Sequence, residues 1–359
     1  MTVEGPGGSP AAEASARPQA VLEASEPSAT FLVVTVNEGG EEQVRSLLPK
    51  LSSLVRAVRS RAPGGRLSCI VGIGSDAWDR LFAGPRPAEL HPFREVGKGN
   101  RRAVATPADV LFHLRATSSD LCFELIAEIV SNLDGAVTVQ DEVVGFKYFG
   151  ELDLLGFADG TENPTGKAAS DAVLVGDEDL HHAGGAYVVV QRYLHDLAGW
   201  NRLTVEEQQR IIGRTKTGNI ELDGEDQPLD SHVALNKIVG PDGAERQILR
   251  YNMPFGSAAR GELGTYFIGY ARTPTIIEQM LSNMFVGTDA VSHDRILDFS
   301  RAVTGALFFT PSATFLDDLP DPGKPSRRVT LSVSESAGAA TGTGTGSLHI
   351  GSLRRVHSE

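Results

Sequence analysis

The segment from Gly156 to Pro164 constrains this chain more than any other. It reads Gly-Phe-Ala-Asp-Gly-Thr-Glu-Asn-Pro and follows directly on an apolar run. Gly156 and Gly160 allow backbone angles and close approaches that residues with side chains resist. Asn163-Pro164 indicates a turn behind them. We therefore expect Asp159 to lie on a stiff loop with room for a large group beside it.

The first half of the chain predicts an alternation of strands and helices. A β-branched apolar run over 29–36 is typical of a buried strand, and apolar residues recur at helical spacing from 41 to about 61. The other predicted elements are strands over 67–73, 110–114 and 137–144, and a helix over 120–133 with Leu121, Leu125, Ile126, Ile129 and Val130 on one face.

The second half repeats this alternation. Thr204 is a plausible N-cap for a helix, because its hydroxyl can accept a hydrogen bond from the first helical turn. The predicted elements are strands over 185–193, 264–271 and 307–310, and helices over 205–214 and 275–284. Two halves of similar strand and helix order suggest two α+β units with antiparallel sheets.

Composition excludes several classes of protein. A chain of 359 residues is long enough for about two domains. The net charge of −13 makes a nucleic-acid-binding surface improbable. No apolar run approaches the roughly 20 residues of a membrane span, and no export signal is recognisable, so we expect a cytoplasmic location. Only Cys69 and Cys122 are present, which argues against a disulfide scaffold or a cysteine-rich metal site.

The two ends of the chain differ in composition from the middle. Residues 1–28 are rich in Ala, Glu, Pro, Ser and Gly without apolar periodicity, which predicts disorder. Residues 326–346 contain Gly-Thr repeats typical of a flexible linker. A short apolar segment follows over 347–359.

Among nine histidines, His232 stands apart. It opens the apolar segment Ser-His-Val-Ala-Leu-Asn after the acidic loop 223–226. A packed structural role is the commoner fate of a single histidine in such a place. His113 lies in an apolar strand and is expected in the core. The remaining histidines are expected at the surface: His91, His181, His182, His195, His293, His349 and His357.

A third segment, Arg-Tyr-Asn-Met-Pro-Phe-Gly, begins at Arg250. On its own, Arg250 would be read as a surface arginine in a salt bridge. Arginine is always protonated and offers five donors, so it can also polarise a bound oxygen species. Asn252 can donate to or accept from the same species.

The three segments, in this order, resemble the signature of dye-decolourising peroxidases, which are haem enzymes that use hydrogen peroxide. The resemblance covers residues 18 to 325, and the compact length resembles the cytoplasmic type B subgroup. It implies one haem b per subunit with His232 as the axial iron ligand. It also implies catalytic roles for Asp159, Arg250 and Asn252. The implied haem contacts are His232, Arg250, Gly156, Asp159, Gly160 and Thr161.

The same resemblance implies the fold and the domain boundaries. The fold class is α+β, with two ferredoxin-like modules of the dimeric α+β barrel type and antiparallel sheets. The N-terminal module spans 29–150. The C-terminal module spans 151–325 and holds the haem.

The chemistry that the resemblance implies is reduction of peroxide through a ferryl intermediate, followed by single-electron oxidation of dyes, phenols or lignin-like aromatics. Asp159 or Arg250 moves a proton between the peroxide oxygens, and the sequence does not rank the two. Arg214 and Lys216 are candidates to pair with the haem propionates by position. Trp78, Trp200 and Tyr251 are candidate electron relays, although core packing is the commoner role of such residues.

The end of the chain has a resemblance of its own. Ser-Leu-His-Ile-Gly-Ser-Leu-Arg-Arg, from Ser347 to Arg355, resembles the cargo-loading peptide of encapsulin nanocompartments. This implies an encapsulin shell as partner, contacted through Leu348, Ile350 and Leu353. A homo-oligomeric cargo would offset the modest affinity of one flexible segment by avidity.

Other functions remain open at this stage. A haem carrier or sensor on the same fold would also use a histidine ligand, but it has no need of an acid–base aspartate beside a distal arginine. A chlorite-degrading haem enzyme shares the architecture without requiring the loop around Asp159. A purely structural cargo protein is least favoured. The sequence contains no phosphate-binding glycine loop, nucleophile elbow or HExxH zinc helix.

Overall fold

The computed structural model describes residues 16–323. Residues 1–15, the predicted linker over 326–346 and the predicted cargo-loading segment over 347–359 lie outside this range, as do His349 and His357.

The first half of the described chain contains six strands and four α-helices. Their bounds, in chain order, are β1 (Ser28–Val36), α1 (Glu41–Leu47), α2 (Leu51–Ser60), β2 (Leu67–Gly74), α3 (Ser75–Leu81), β3 (Val96–Lys98), β4 (Arg101–Ala103), β5 (Val110–Ala116), α4 (Ser119–Asn132) and β6 (Val137–Phe146). All the predicted elements are present in this half, with ends shifted by up to two residues. The helix predicted from 41 to about 61 is divided into α1 and α2.

The second half has the corresponding order with longer connections. Its elements are α5 (Gly166–Val173), β7 (Ala186–His195), α6 (Leu197–Trp200), α7 (Val205–Ile212), α8 (His232–Asn236), β8 (Ile238–Val239), β9 (Glu245–Arg246), β10 (Leu249–Arg250), β11 (Met253–Ser257), β12 (Glu262–Ala271), α9 (Pro274–Phe285), β13 (Ser300–Ala302), β14 (Ala306–Thr310) and α10 (Ala313–Asp317). Thr204 caps α7 as predicted, in a capping box with Glu207.

Eight antiparallel strands close into a barrel made of two four-stranded sheets. The N-terminal sheet has the order β6-β1-β5-β2, and the C-terminal sheet has the order β11-β12-β7-β14. In each, the chain's four strands follow the ferredoxin-like arrangement, with the first and third side by side in the centre. Single short pairings join the sheets, Phe255 with Gly145 and Phe308 with Gly74. The predicted α+β fold of two ferredoxin-like units with antiparallel sheets is confirmed.

Aromatic side chains fill the barrel interior. The ring of Phe31 stacks on Tyr266 with centroids 4.0 Å apart, and on His113 at 4.9 Å. His113 is fully buried and bonds the hydroxyl of Tyr270 at 2.8 Å. Burial lowers the pKa of His113 well below its usual value, so this histidine is a neutral core residue, as predicted.

Helices cover the outward faces of both sheets. Helix α4 packs on β1 and β5, and α9 packs on β7 and β12. Along β7, Val188 and Val190 belong to the interior cluster while Tyr187, Val189 and Tyr193 belong to the outer one, which is the alternation expected of a strand buried on both faces. Across residues 16–323, the model contains no helix that is long and apolar enough to span a membrane.

The N-terminal segment departs from the prediction. Disorder was expected to residue 28, but a 3₁₀ turn at Ala20–Leu22 seals one end of the barrel with Val21 buried. The amide of Gln19 bonds both the N–H and the C=O of Val71, at 2.8 and 2.9 Å. Composition missed this order because one apolar residue and one amide suffice to anchor the segment.

Two features of the helices also differ from expectation. A 3₁₀ turn at Leu48–Lys50 separates α1 from α2, since Pro49 lacks the N–H that a continuous helix requires. Val130 of α4 was expected on the buried face but is 38% exposed. It lies at the edge of the stripe that packs on the sheet, and the four other predicted core residues of this helix are buried.

We predict that Gln19→Ala lowers the free energy of unfolding by about 2–3 kcal/mol, because the N–H and C=O of Val71 lose their partners. Thermal and urea denaturation would measure the change. Gln43→Ala is the matched control, since its amide bonds two carbonyls in an exposed position. Equal losses in both variants would contradict an anchoring role for Gln19.

Candidate active site

A cavity lies between the outward face of the C-terminal sheet and helices α7, α8 and α9. The space between its walls is about 1160 Å³, including the part open to solvent. Its apolar wall consists of Leu155, Phe157, Ile212, Ile248, Phe267, Ile277, Met280, Leu281, Met284 and Ile296. Six predicted site residues line it, namely Asp159, Gly160, Thr161, His232, Arg250 and Asn252.

The loop that carries Asp159 is tied down at its base by Asp153. One carboxylate oxygen of Asp153 accepts the N–H of Phe157 at 2.8 Å, and its backbone N–H donates to the carbonyl of Phe157 at 2.8 Å. Gly156 has φ +88° and Gly160 has φ +77°, a region that glycine adopts without strain. Burial raises the pKa of Asp153 to about 7, and the charge of Asp159 adds to the effect.

Asn163 fastens this loop to the strand that carries Arg250. Its amide nitrogen donates to the carbonyl of Arg250 at 2.7 Å, and its amide oxygen accepts the N–H of Arg250 at 2.9 Å. The side chain thus imitates a neighbouring strand. The predicted turn at Asn163-Pro164 therefore also fixes the backbone of Arg250 relative to Asp159.

His232 is held by a buried carboxylate. Its Nδ1 lies 2.7 Å from Oδ2 of Asp294, which is fully buried. A carboxylate can only accept, so Nδ1 carries the proton and Nε2 is left with its lone pair. Within residues 16–323, Nε2 has no hydrogen-bond partner. Asp294 is itself fixed by accepting the N–H of Ile296 at 2.9 Å.

The side chains of Arg250 and Asn252 keep hydrogen-bond donors available to the cavity. The Arg250 guanidinium forms no ion pair or hydrogen bond within the described part of the chain, so the surface salt bridge that is common for arginine does not form here. The amide oxygen of Asn252 accepts the N–H of Ile268 at 3.2 Å. This leaves the NH₂ of Asn252 to donate. Asp159 lies beside them in the same cavity wall.

Arg214 and Lys216, the two propionate candidates, differ in position. Arg214 lines the cavity, but its guanidinium pairs with Glu162 and bonds Asn219. Lys216 is absent from the wall. Its ammonium donates to Gln208 at 2.6 Å and lies 5.3 Å from the ring centroid of Phe157.

Gly156, a predicted haem contact, does not line the cavity. A Cβ there would meet Lys216 Cε at 2.6 Å. The glycine therefore allows the lysine to pack under the loop.

Two histidines expected at the surface are not exposed: His195 is half-buried and His182 is buried. His195 lines the cavity and is held between the hydroxyls of Ser300 and Thr265, at 2.8 and 2.9 Å. Burial lowers its pKa to about 4, so it is neutral. His182 is 6% exposed and packs edge-on against Trp78. Sequence reasoning failed because neighbouring polar residues were taken for a sign of exposure. Asp179 instead bonds the ring of His182 at 3.0 Å, and the ring of His195 finds its partners on strands distant in sequence.

Comparisons with known proteins agree on one family. The models of the N-terminal and C-terminal domains of Dyp-type peroxidases match residues 18–147 and 150–315. The chain is 54% identical over 337 residues to the dye-decolorizing peroxidase of Mycobacterium tuberculosis, covering 94% of this chain and 97% of that protein. The chain belongs to the Dyp-type peroxidase family.

Solved structures of Dyp-type peroxidases have the same fold. The encapsulated DyP-type peroxidase of Mycobacterium smegmatis superposes with a TM-score of 0.84 at 58% identity, covering 86% of this chain and all of that one. A variant of DypB from Rhodococcus jostii RHA1 in complex with heme superposes with a TM-score of 0.82 at 50% identity, covering 85% and 100% of the two chains.

Three residues that organise this Dyp-type peroxidase were missed by the sequence reasoning. Asp294 orients His232 from 62 residues away, and nothing in its local sequence marks that contact. Asp153 was not singled out at all, and Asn163 was read only as part of a turn. Their proximity to Asp159 was a usable signal, because Asp and Asn side chains often bond the backbone of the turns they occupy.

The two tryptophans considered as relays are core residues. Trp78 is 1% exposed, and Trp200 is fully buried with its indole N–H donating to the carbonyl of Leu155 at 2.9 Å. Trp200 therefore supports the loop of Asp159 from behind. Core packing, the commoner role, is the one observed for both.

We predict that the peroxidase loses stability as the pH rises from about 4 to 7. Over this range, the unfolded chain releases the proton of Asp153, whose ordinary pKa is 3.8, while the folded chain holds it. Asp153→Asn keeps the side-chain oxygen that accepts the N–H of Phe157 but has no carboxyl proton to release. The substitution should reduce the pH-dependent loss of unfolding free energy by roughly 2–4 kcal/mol. Denaturation at pH 5 and pH 8 would measure it. The exposed Asp134→Asn is the control, and identical pH slopes in wild type and Asp153→Asn would contradict the prediction.

Proposed function

We propose that this chain is a haem peroxidase in which His232 would ligate the iron of haem b and Asp159, Arg250 and Asn252 would act on hydrogen peroxide. The observation that carries the proposal is the pairing of His232 with buried Asp294 in a cavity that also holds Arg250, which has no carboxylate partner among residues 16–323. Heme is named as bound in the solved DypB variant.

The residues of the cavity fit a haem. The wall is predominantly aliphatic and aromatic, as an apolar macrocycle requires. The Nε2 lone pair of His232 is available to iron, and an imidazole is a common iron ligand. The buried Nε2 of Gln191 has no partner within residues 16–323 and lines the same space. Arg214, which lines the cavity as well, can complement a propionate. When bound, the haem supplies the redox-active iron.

Asp294 sets the tautomer and the basicity of His232 through its contact with Nδ1. A carboxylate that accepts from Nδ1 holds the ring in one tautomer and increases the basicity of Nε2. His232 would therefore present an oriented and electron-rich Nε2 to the iron of a bound haem.

Three side chains serve the peroxide. Asp159 takes a proton from one peroxide oxygen and returns it to the other. Arg250 stabilises the negative charge that develops on the leaving oxygen, and it needs no proton transfer to do so. The NH₂ of Asn252 donates to the bound oxygen. Asp159 and Arg250 stay unranked, since both line the cavity and neither is tied to another side chain in the described part of the chain.

The reductants that we propose are dyes, phenols and lignin-like aromatics, each oxidised by one electron at a time. The alternative is a haem carrier or sensor. Such a protein needs the histidine but not an unpaired arginine held at a fixed distance from an aspartate. The clamp of Asn163 on Arg250 therefore favours the enzyme.

We also propose that the enzyme is packaged as a homo-oligomer in a cytoplasmic encapsulin shell. A relative at 58% identity is described as encapsulated. Leu348, Ile350 and Leu353 would bind the inner shell wall, and several copies of the segment on one oligomer would raise the avidity.

We predict that mixing the haem-loaded enzyme with one equivalent of peroxide changes the ferric Soret band within milliseconds, and that a phenol restores it. Arg250→Leu should slow the change at least about 100-fold, because the charge on the leaving oxygen loses its stabilisation. Stopped-flow spectroscopy would measure the rate. Arg260→Leu, at an exposed site outside the cavity, is the control.

An unchanged rate in Arg250→Leu would overturn the role of that arginine. Stable haem binding without any spectral response in the wild type would instead move the function to haem carriage or sensing.

We predict that Asn163→Ala lowers kcat/KM for peroxide about 10- to 100-fold while haem binding persists. The variant would keep the guanidinium of Arg250, but the backbone of Arg250 would lose the two hydrogen bonds that fix its position and align the side chain. Steady-state kinetics and a haem titration would separate the two effects. Asn201→Ala, at an exposed site, should be neutral. Full activity in Asn163→Ala would show that the clamp is dispensable.

We predict that removing residues 347–359 abolishes co-purification with a co-expressed encapsulin shell and leaves peroxidase activity intact. Replacing Leu348, Ile350 and Leu353 together by alanine should have the same effect. Replacing Thr341, Thr343 and Thr345 by serine is the control for changes near the segment. Retained loading of the truncated enzyme would refute the assignment.

A further inference from the structure

A second groove lies at the end of the barrel sealed by the N-terminal segment. The segment Arg17–Glu26 forms one side and helix α2 the other, with Arg115 of β5 at its base. The space between its walls is about 1650 Å³, larger than that of the candidate active site. The two spaces share no lining residue.

Positive charge is concentrated in this groove. Five arginines and three carboxylates line it, in a chain whose net charge is −13. Arg17 pairs with Asp317 and Arg66 with Glu26. Within residues 16–323, Arg56, Arg59 and Arg115 have no carboxylate partner. The groove can therefore bind an anion without first breaking an ion pair.

Arg115 is the fixed point of the groove. It is 2% exposed, and its terminal nitrogens donate to the carbonyls of Glu23 and Ala20. Its Nε is buried without a partner among the described residues. A buried guanidinium that keeps a free donor and no counter-charge is costly, and an anion in the groove would relieve that cost.

The lining is also apolar. Pro18, Ala20, Pro49 and Val55 line it and are exposed or half-buried, whereas the lining residues Leu48, Leu51, Leu67 and Leu316 are themselves buried. A small inorganic anion would leave this surface wet, whereas a flat organic body would cover it and gain free energy from its burial. Arginine planes also stack on aromatic rings. The chemistry of the groove thus suits a flat aromatic body with an acidic substituent.

Tyr251 connects this groove to the candidate active site. The guanidinium of Arg115 lies 4.4 Å from the ring centroid of Tyr251, and the hydroxyl of Tyr251 donates to the carbonyl of Glu23 at 2.7 Å. Its chain neighbours, Arg250 and Asn252, line the other cavity. Tyr251 therefore contacts groove residues through its side chain and is covalently joined to two residues of the cavity.

We propose that the groove binds aromatic carboxylates and sulfonates and is a docking site for anionic aromatic reductants. The part that makes these anions reductants rests on the proposed function. Two phenolic anions each lose one electron and their hydroxyl proton, and one hydrogen peroxide takes up both electrons and both protons to give two waters. Phenoxyl radicals are the products.

Calorimetry tests the binding. Naphthalene-2-sulfonate is titrated into the haem-loaded enzyme without peroxide, with neutral naphthalene-2-sulfonamide as the comparison ligand. We expect the sulfonate to bind at least about 10-fold more tightly, and Arg56→Ala/Arg59→Ala to weaken it at least about fivefold. Arg202→Ala/Arg260→Ala changes the net charge equally at exposed sites outside the groove and should have no effect. Equal binding of the sulfonate to wild type and to the groove variant overturns the proposal.

Kinetics test the role in turnover. With 4-hydroxybenzenesulfonate as reductant, the groove variant should show a KM raised about fivefold, while the KM for neutral phenol is unchanged. If the sulfonate binds but both KM values are unaffected, the docking role is overturned. If the wild type oxidises neither reductant, the proposed peroxidase function fails, and calorimetry still decides whether the groove binds the anion.

Discussion

Burial of the C-terminal sheet on both faces is the constraint on which the rest of the structure depends. Its inner face closes the barrel against the N-terminal sheet, and its outer face must be covered by helices. Helices α7, α8 and α9 cover that outer face incompletely, and the space left over is the cavity. The barrel strand β12 therefore also supports the cavity wall, because Arg250 lies on the short strand β10 that pairs with it and Asn252 lies on the link from β10 to β11.

Connections distant in sequence fix the geometry of the cavity. Asn163 bonds both backbone groups of Arg250, and Asp294 holds His232. Asn163 substitutes for a missing neighbouring strand, and Asp294 supplies the acceptor that fixes the ring of His232. Because both are bonded on more than one atom, they restrict orientation as well as distance, and a proton shuttle requires both.

One end of the barrel is sealed by the N-terminal segment, which composition alone assigns to disorder. This seal places Arg115 and Tyr251 next to each other. The arginine-rich groove arises there because the seal brings Arg17 beside residues of α2 and β2. Neither the composition of the segment nor any one of these arginines predicts the groove by itself.

The sequence by itself determined the elements and the chemical inventory. Alternating and helical periodicities located the strands and main helices, because burial imposes those periods locally. The loop around Asp159 and the segments of His232 and Arg250 indicated the family. Only the tertiary structure decided which carboxylate orients His232, that His195 lines the cavity as a neutral residue, and that Asn163 fixes the backbone of Arg250. These depend on contacts between residues far apart in the chain, for which a single sequence carries no local signal.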